Sequence, residues 1–150
     1  METFEPRRGL GHFIGRVRAQ LLAAIDADLA RDAHLGPLEV TAAQVIVVLN
    51  LAGKESATCA AELCKGISYD AGAMTRMLDR LEAKGLVRRT RSPEDRRLVN
   101  LELTDAGKAA YPRLREISMR VLNRSLRDFS KDEARTLETL LQRMARNVGD

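Results

Sequence analysis

Basic side chains at two kinds of spacing are the part of this sequence best suited to chemistry. Arg76, Arg80 and Lys84 recur every fourth residue, which on a helix puts them on one side, and Arg88, Arg89, Arg91, Arg96 and Arg97 crowd the stretch that follows. A guanidinium presents five donors in a planar fork and stays charged at physiological pH, so it suits phosphate oxygens and the O6/N7 edge of guanine. The alternative is a solvated face in which Asp79, Glu82, Glu94 and Asp95 pair with these cations. Isolated surface ion pairs contribute little, so pairing alone does not account for the clustering.

Other reactive residues are sparse. Cys59 and Cys64 lie five apart, which fits neither a disulfide framework nor the paired spacing of a zinc site, so no metal is expected. They read as small apolar residues of a core. The competing reading is redox chemistry, because Cys59 falls at an expected helix N-terminus, where the dipole favours a thiolate if the thiol is exposed. His12 and His34 are too far apart to form a local metal pair, whereas His12 and Arg16 stand one helical turn apart. Gly9, Gly11 and Gly15 miss the dinucleotide fingerprint, Gly53-Lys54 lacks the first glycine of a phosphate-binding loop, and no Gly-x-Ser-x-Gly elbow occurs. Neither an enzyme nor a cofactor is expected.

The elements that must position the cations follow from periodicity. Leu10, Ile14, Val17, Leu21, Ile25 and Leu29 trace one face of a long helix that Gly36-Pro37 stops. Thr41 caps a second helix, Ala42 to Leu51, apolar nearly all round and therefore expected to be surrounded by protein. Gly53-Lys54-Glu55 turns the chain, Thr58 caps a third helix from Cys59 to Lys65, and Gly66 closes it. Ser68 or Asp70 starts a fourth, with Met74, Met77, Leu78 and Leu81 inward and Gly85 at its end. Leu86 to Arg91 and Leu98 to Leu103 read as two strands around the polar turn Ser92 to Arg97. Thr104 caps a fifth helix carrying Ala110, Leu114, Ile117 and Val121. Ser130 with Glu133 forms a capping box on a sixth, which carries Ala134, Leu137, Leu141, Met144 and Val148.

Composition narrows the partner. The 150 residues are the length of one domain, and 45% hydrophobic with 31% charged residues is globular. A formal net charge of +4 makes a polyanion a candidate partner. Aromatics are only 3%, too few for the stacking platform of single-stranded nucleic-acid binders, so any nucleic acid should be a duplex. Neither a secretory signal nor an apolar run of membrane-spanning length is found, and a soluble, cytoplasmic protein that does not engage membranes is expected.

The predicted fold is mainly α with a small β-hairpin. Residues 41–103 form a winged helix-turn-helix, whose second helix enters a major groove and whose hairpin reaches an adjacent minor groove. The flanking helices, 10–34 and 105–148, complete a single domain over 1–150. Their apolar stripes suit burial against a second copy, giving a homodimer.

That block resembles the MarR family of bacterial transcription regulators. The residues are Ala61-Glu62-Leu63, Met74 to Glu82 with Gly85-Leu86-Val87 after it, Asp95-Arg96-Arg97 at the wing tip and Leu103-Thr104-Asp105-Ala106-Gly107 beyond. The match in element order runs from Leu10 to the C-terminus. The resemblance implies a homodimeric regulator, usually a repressor, that releases a pseudo-palindromic operator on sensing a small molecule or an oxidant. It makes Arg97 the wing arginine of the minor groove and Asp95 the acid that holds it, with Arg96 beside them. Ala71, Gly72, Ala73, Thr75 and Arg76, with Arg80, become the groove-facing set. His12 and Arg16 fall near the pocket that the resemblance places between the dimer helices and the winged unit, where a carboxylate of a small aromatic acid would suit Arg16; the competing reading of the pair is a solvated helix face. Cys59 and Cys64 carry the alternative of a redox-sensing regulator. Two further readings compete: a winged-helix module that binds protein, and an architectural DNA binder without sequence preference.

Overall fold

The computed structural model describes residues 9–53, 58–67 and 69–149. Lys54 and Glu55, expected in a turn, and Ser68, one of the two expected starts of the fourth helix, lie outside them. In chain order the elements are α1 (Leu10–Arg31), a 3₁₀ turn (Gly36–Leu38), α2 (Ala42–Ala52), β1 (Thr58–Cys59), α3 (Ala60–Ile67), α4 (Ala71–Ala83), β2 (Val87–Arg91), β3 (Val99–Leu103), α5 (Asp105–Ser125) and α6 (Lys131–Gly149). The winged helix-turn-helix expected from sequence is present, between helices from the two ends of the chain. No helix among the described residues is long and apolar enough to cross a membrane.

The sheet carries one strand more than the expected hairpin. Its order is β1-β3-β2, antiparallel throughout, with Thr58 opposite Leu101 and Cys59 opposite Asn100. Thr58 is therefore a buried strand residue and not the N-cap of α3. Its hydroxyl donates to Glu62 Oε2 at 2.7 Å, and the Cys59 N–H approaches the same oxygen at 3.4 Å. A two-residue strand has too little periodicity to be read from sequence, because its pairing depends on a partner far along the chain.

α2 is the central helix, packed against α1, α3, α5 and β3. Its Val45, Val47, Val48 and Leu51 meet Leu29 of α1, Leu63 of α3, Met74, Leu78 and Leu81 of α4, Leu101 and Leu103 of β3, and Leu114 and Ile117 of α5 in one core. Each fully buried side chain of this size contributes about 1.5–3 kcal/mol. A capping box starts α2: the Thr41 hydroxyl accepts from the Gln44 N–H, and Gln44 Oε1 accepts from the Thr41 N–H at 3.1 Å.

Two glycines fix where the wing leaves α4. Gly85 has φ +71°, and the Leu86 N–H reaches back to the Leu81 carbonyl at 3.0 Å, a left-handed termination that a side chain would strain. Gly107, in the first turn of α5, lies so close to the Leu86 carbonyl that a Cβ there would collide with it. Thr104 donates through its hydroxyl to Gly85 and through its N–H to Leu86, so the start of α5 is bound to the end of α4.

The outer helices are under-packed in a single chain. Every residue of α6 except half-buried Ala134 is exposed among those described, including Leu137, Leu140, Leu141 and Met144. Leu10, Phe13 and Val17 of α1 are equally bare. An apolar cleft of about 550 Å³ separates the two helices, lined by these α1 residues with Leu21, Ile25, Leu137 and Leu141.

Candidate nucleic-acid interface

The helical period of α4 sends Met74, Leu78 and Leu81 into the core and leaves Ala71, Gly72, Thr75, Arg76, Asp79 and Arg80 on the outside. Of the expected groove-facing set, only Ala73 is half-buried. Asp70 caps the helix, its carboxylate accepting from the Ala73 N–H at 2.8 Å. The Thr75 hydroxyl donates to the Ala71 carbonyl at 2.8 Å, which keeps its acceptor lone pairs available. The first two residues of the helix therefore present almost bare backbone, and Arg76 reaches out beside them.

Lys84 does not continue the row of Arg76 and Arg80. Its ammonium turns inward, donating to the Glu39 carbonyl and to Gln44 Oε1, the latter at 3.0 Å. Burial lowers its pKa below the ordinary lysine value. Lys84 thus pins the end of α4 to the capping box of α2. Glu39 is the one non-glycine residue of positive φ among those described, at +48°, and its carbonyl is aimed at the ammonium.

Strand parity divides the wing cations. Arg88 stands opposite Glu102 in the ladder, and their side chains meet at 2.9 Å on the outer face. Arg89 shares a face with Val87 and stands opposite Leu101, so it points toward α4. One arm of its guanidinium binds Asp79 at 2.6 Å and the other binds Glu82. Burial opposes its charge, but the two carboxylates outweigh it and raise its pKa. The paired reading therefore holds for Arg89 with Asp79 and Glu82, whereas Arg88 is paired with Glu102, outside the expected acids, and Glu94 and Asp95 form no ion pair among the described residues.

The wing tip is built by Ser92 and Asp95. The Ser92 hydroxyl donates to Glu94 and accepts from the N–H groups of Glu94 and Asp95, both at 3.3 Å. The Leu98 N–H closes a turn onto the Asp95 carbonyl at 2.9 Å, with Arg96 and Arg97 as its two central residues. Asp95 Oδ1 accepts from the Arg97 backbone N–H at 2.9 Å. Asp95 thus shapes the turn that presents Arg97; it does not grip the guanidinium. Sequence reasoning placed Ser92 at the start of this polar turn but did not foresee the hydrogen bonds by which its hydroxyl builds the tip.

Among the described residues, Arg76, Arg80, Arg91, Arg96 and Arg97 are exposed and form no ion pair. All five lie on α4, on β2 or on the wing turn. Elsewhere Arg31, Arg113, Arg120, Arg124, Arg127 and Arg135 each have a carboxylate partner, whereas Arg16, Arg18, Arg115, Arg143 and Arg146 are exposed and unpaired among the described residues but scattered over α1, α5 and α6.

Comparison with known proteins bears on this arrangement directly. The model of the MarR family matches residues 40–99, which span the winged unit almost to its end. The multiple antibiotic resistance protein MarR of Escherichia coli strain K12 is 40% identical over 114 residues, 74% of this chain and 77% of that protein. The chain belongs to the MarR family. An uncharacterized HTH-type transcriptional regulator of Bacillus subtilis strain 168 is 36% identical over 89 residues, 59% of this chain and 54% of that protein. Among solved structures, a mutant MarR from Escherichia coli complexed with operator DNA is similar with a TM-score of 0.77 at 33% identity, over 90% of this chain and 92% of that one. As a member of the MarR family the chain is a DNA-binding transcription regulator and not an enzyme.

The remaining candidates are placed as follows in this MarR-family chain. His12 and Arg16 are exposed, His12 packs edge-on against Phe13, and neither residue lines the apolar cleft between α1 and α6. The cation that lines it is Arg18. Cys59 and Cys64 are both half-buried free thiols. Cys59 pairs in β1 and is also the residue immediately before α3, so it stands at a helix N-terminus as expected, with its N–H directed at Glu62; Cys64 packs on the core. No cluster of metal ligands occurs among the described residues.

Proposed function

We propose that the chain binds a pseudo-palindromic operator as a homodimer and acts as a cytoplasmic repressor released by a small molecule. The observation that carries the DNA contact is the clustering of five exposed, unpaired arginines on α4 and the adjoining wing. In this reading Ala71, Gly72, Ala73 and Thr75 lie against base edges in the major groove, while Arg76 and Arg80 reach guanine or phosphate. Arg97, with Arg96, enters the flanking minor groove, whose narrow A·T-rich form has the negative potential a guanidinium prefers. Asp95 holds the turn in shape. The bare stripes of α1 and α6 support the second copy: exposed leucines on this scale call for burial, and a two-fold pair satisfies both helices at once.

Selection of bound fragments from random duplex DNA tests the reading. An inverted repeat with half-site centres about 10 bp apart is expected from a two-fold dimer. Recovery of fragments with no common sequence would favour an architectural binder, and failure to retain any duplex would favour a protein-binding module.

A further inference from the structure

We infer that Arg89 is a positioning residue for DNA recognition, bracing the wing against the recognition helix without touching DNA itself. The inference rests on the DNA-binding reading above and deepens it. Three donors of Arg89 converge on two carboxylates one helical turn apart: its two guanidinium arms on Asp79 and Glu82, and its backbone N–H on Glu82 at 3.4 Å. Its side chain is 27% exposed, against 58% for Arg88 on the opposite face of the same strand. Arg91, two residues further along the inner face, has no such carboxylate and is left free among the described residues.

The geometry has a mechanical consequence. A winged helix must seat its helix and its wing in adjacent grooves together, so the angle between them is part of the fit. Here the two are joined by a tight turn at Gly85, and the Arg89 fork closes a second link one strand away. Asp79 and Glu82 would otherwise be anomalous, because carboxylates beside a groove repel phosphate. Held by Arg89, their charge is compensated and their position is used. A fork of this kind needs a planar guanidinium, which a lysine cannot imitate.

The test compares wild type, Arg89→Met, Arg89→Lys and the double variant Asp79→Asn/Glu82→Gln on one selected operator. Each is titrated across a range of salt and footprinted with hydroxyl radicals at saturating protein. The brace predicts that Arg89→Met weakens binding about tenfold with an unchanged salt slope, since no phosphate contact is lost. It predicts loss of protection at the flanking minor groove while the central major-groove contacts persist. Arg89→Lys should fail to restore that protection. The double variant decides the sign: removing two negative charges near DNA tightens binding on electrostatics alone, whereas loss of the brace weakens it. Should Arg89→Met fail to fold, the double variant, which keeps Arg89, carries the test. A salt slope reduced by about 1 in Arg89→Met would make Arg89 a phosphate contact, and tighter binding by the double variant would remove the brace; either overturns the inference. A wild type that bound no duplex would defeat the DNA reading and the inference together, whereas variants equal to a wild type that binds would defeat the inference alone.

Discussion

Arg113 in the middle of α5 donates through Nε to the Asp32 carboxylate at 2.7 Å, joining it to the residue that ends α1 across 81 positions of chain. The other carboxylate oxygen of Asp32 accepts from the N–H groups of His34 and Leu35, each at 3.0 Å. One acid thus terminates α1, shapes the turn after it and anchors α5. The Arg113 hydrogen bond, followed by the backbone donors, holds its pKa down from 3.8 to about 2.

A depressed acid makes stability depend on pH in a fixed direction. The contribution of Asp32 is fully present above its unfolded value near 3.8 and is lost as pH falls through about 2. Asp32→Asn should therefore be less stable than wild type at neutral pH, and the gap should close between about pH 4 and pH 2. Urea midpoints of both proteins across that window check it; a gap that stays constant to pH 2 would mean that the carboxylate charge is not what holds the junction.

Lys84 provides a contrast with Arg76 on the same helix. Lys84→Met should destabilise the fold by about 1–2 kcal/mol, because it leaves the Glu39 carbonyl and Gln44 Oε1 short of a donor, and should leave the salt dependence of DNA binding unaltered. Arg76→Ala should do the reverse, sparing stability and lowering the salt slope by about 1 if it meets phosphate, or relaxing base preference if it meets a base. Thermal unfolding and salt titration separate the two.

How much of this was legible in the sequence depended on range. The long helices, the all-round apolar α2 and the hairpin follow from periodicity, and Thr104, Ser130 and Asp70 cap where their types predict. The free arginines of the wing tip stood out by clustering. The roles of Lys84 and Arg89 were not legible, because each depends on a partner that only tertiary packing brings near: Gln44 lies 40 positions from Lys84, and Asp79 lies on a different element from Arg89. Parity with Val87 was the one available sign that Arg89 points inward. The strand at Thr58 likewise had no local signature, whereas the exposure of His12 and Arg16 agrees with the solvated-face reading of that pair.

The bare helices give the second copy a direct test. Leu137→Glu or Leu141→Glu places an unpaired charge in the stripe that faces α1 across the cleft, and each should dissociate or unfold the protein. Sedimentation at low micromolar concentration is expected to show a dimer for wild type and not for either variant. If both variants remained stable dimers, those leucines would not lie in the interface.

The central claim is that the wing reads DNA through Arg97, and titration of Arg97→Ala against one operator and a copy with scrambled flanks measures it most directly. Arg97 is exposed and its side chain holds no partner among the described residues, so folding and dimerisation should be unchanged. Binding to the operator should weaken by about 1–3 kcal/mol, and by less on the copy whose A·T-rich flanks are lost. Asp95→Ala should show a smaller loss of the same kind, because it loosens the turn and leaves the arginine in place. An Arg97→Ala protein that binds both duplexes as wild type does would contradict the minor-groove mechanism.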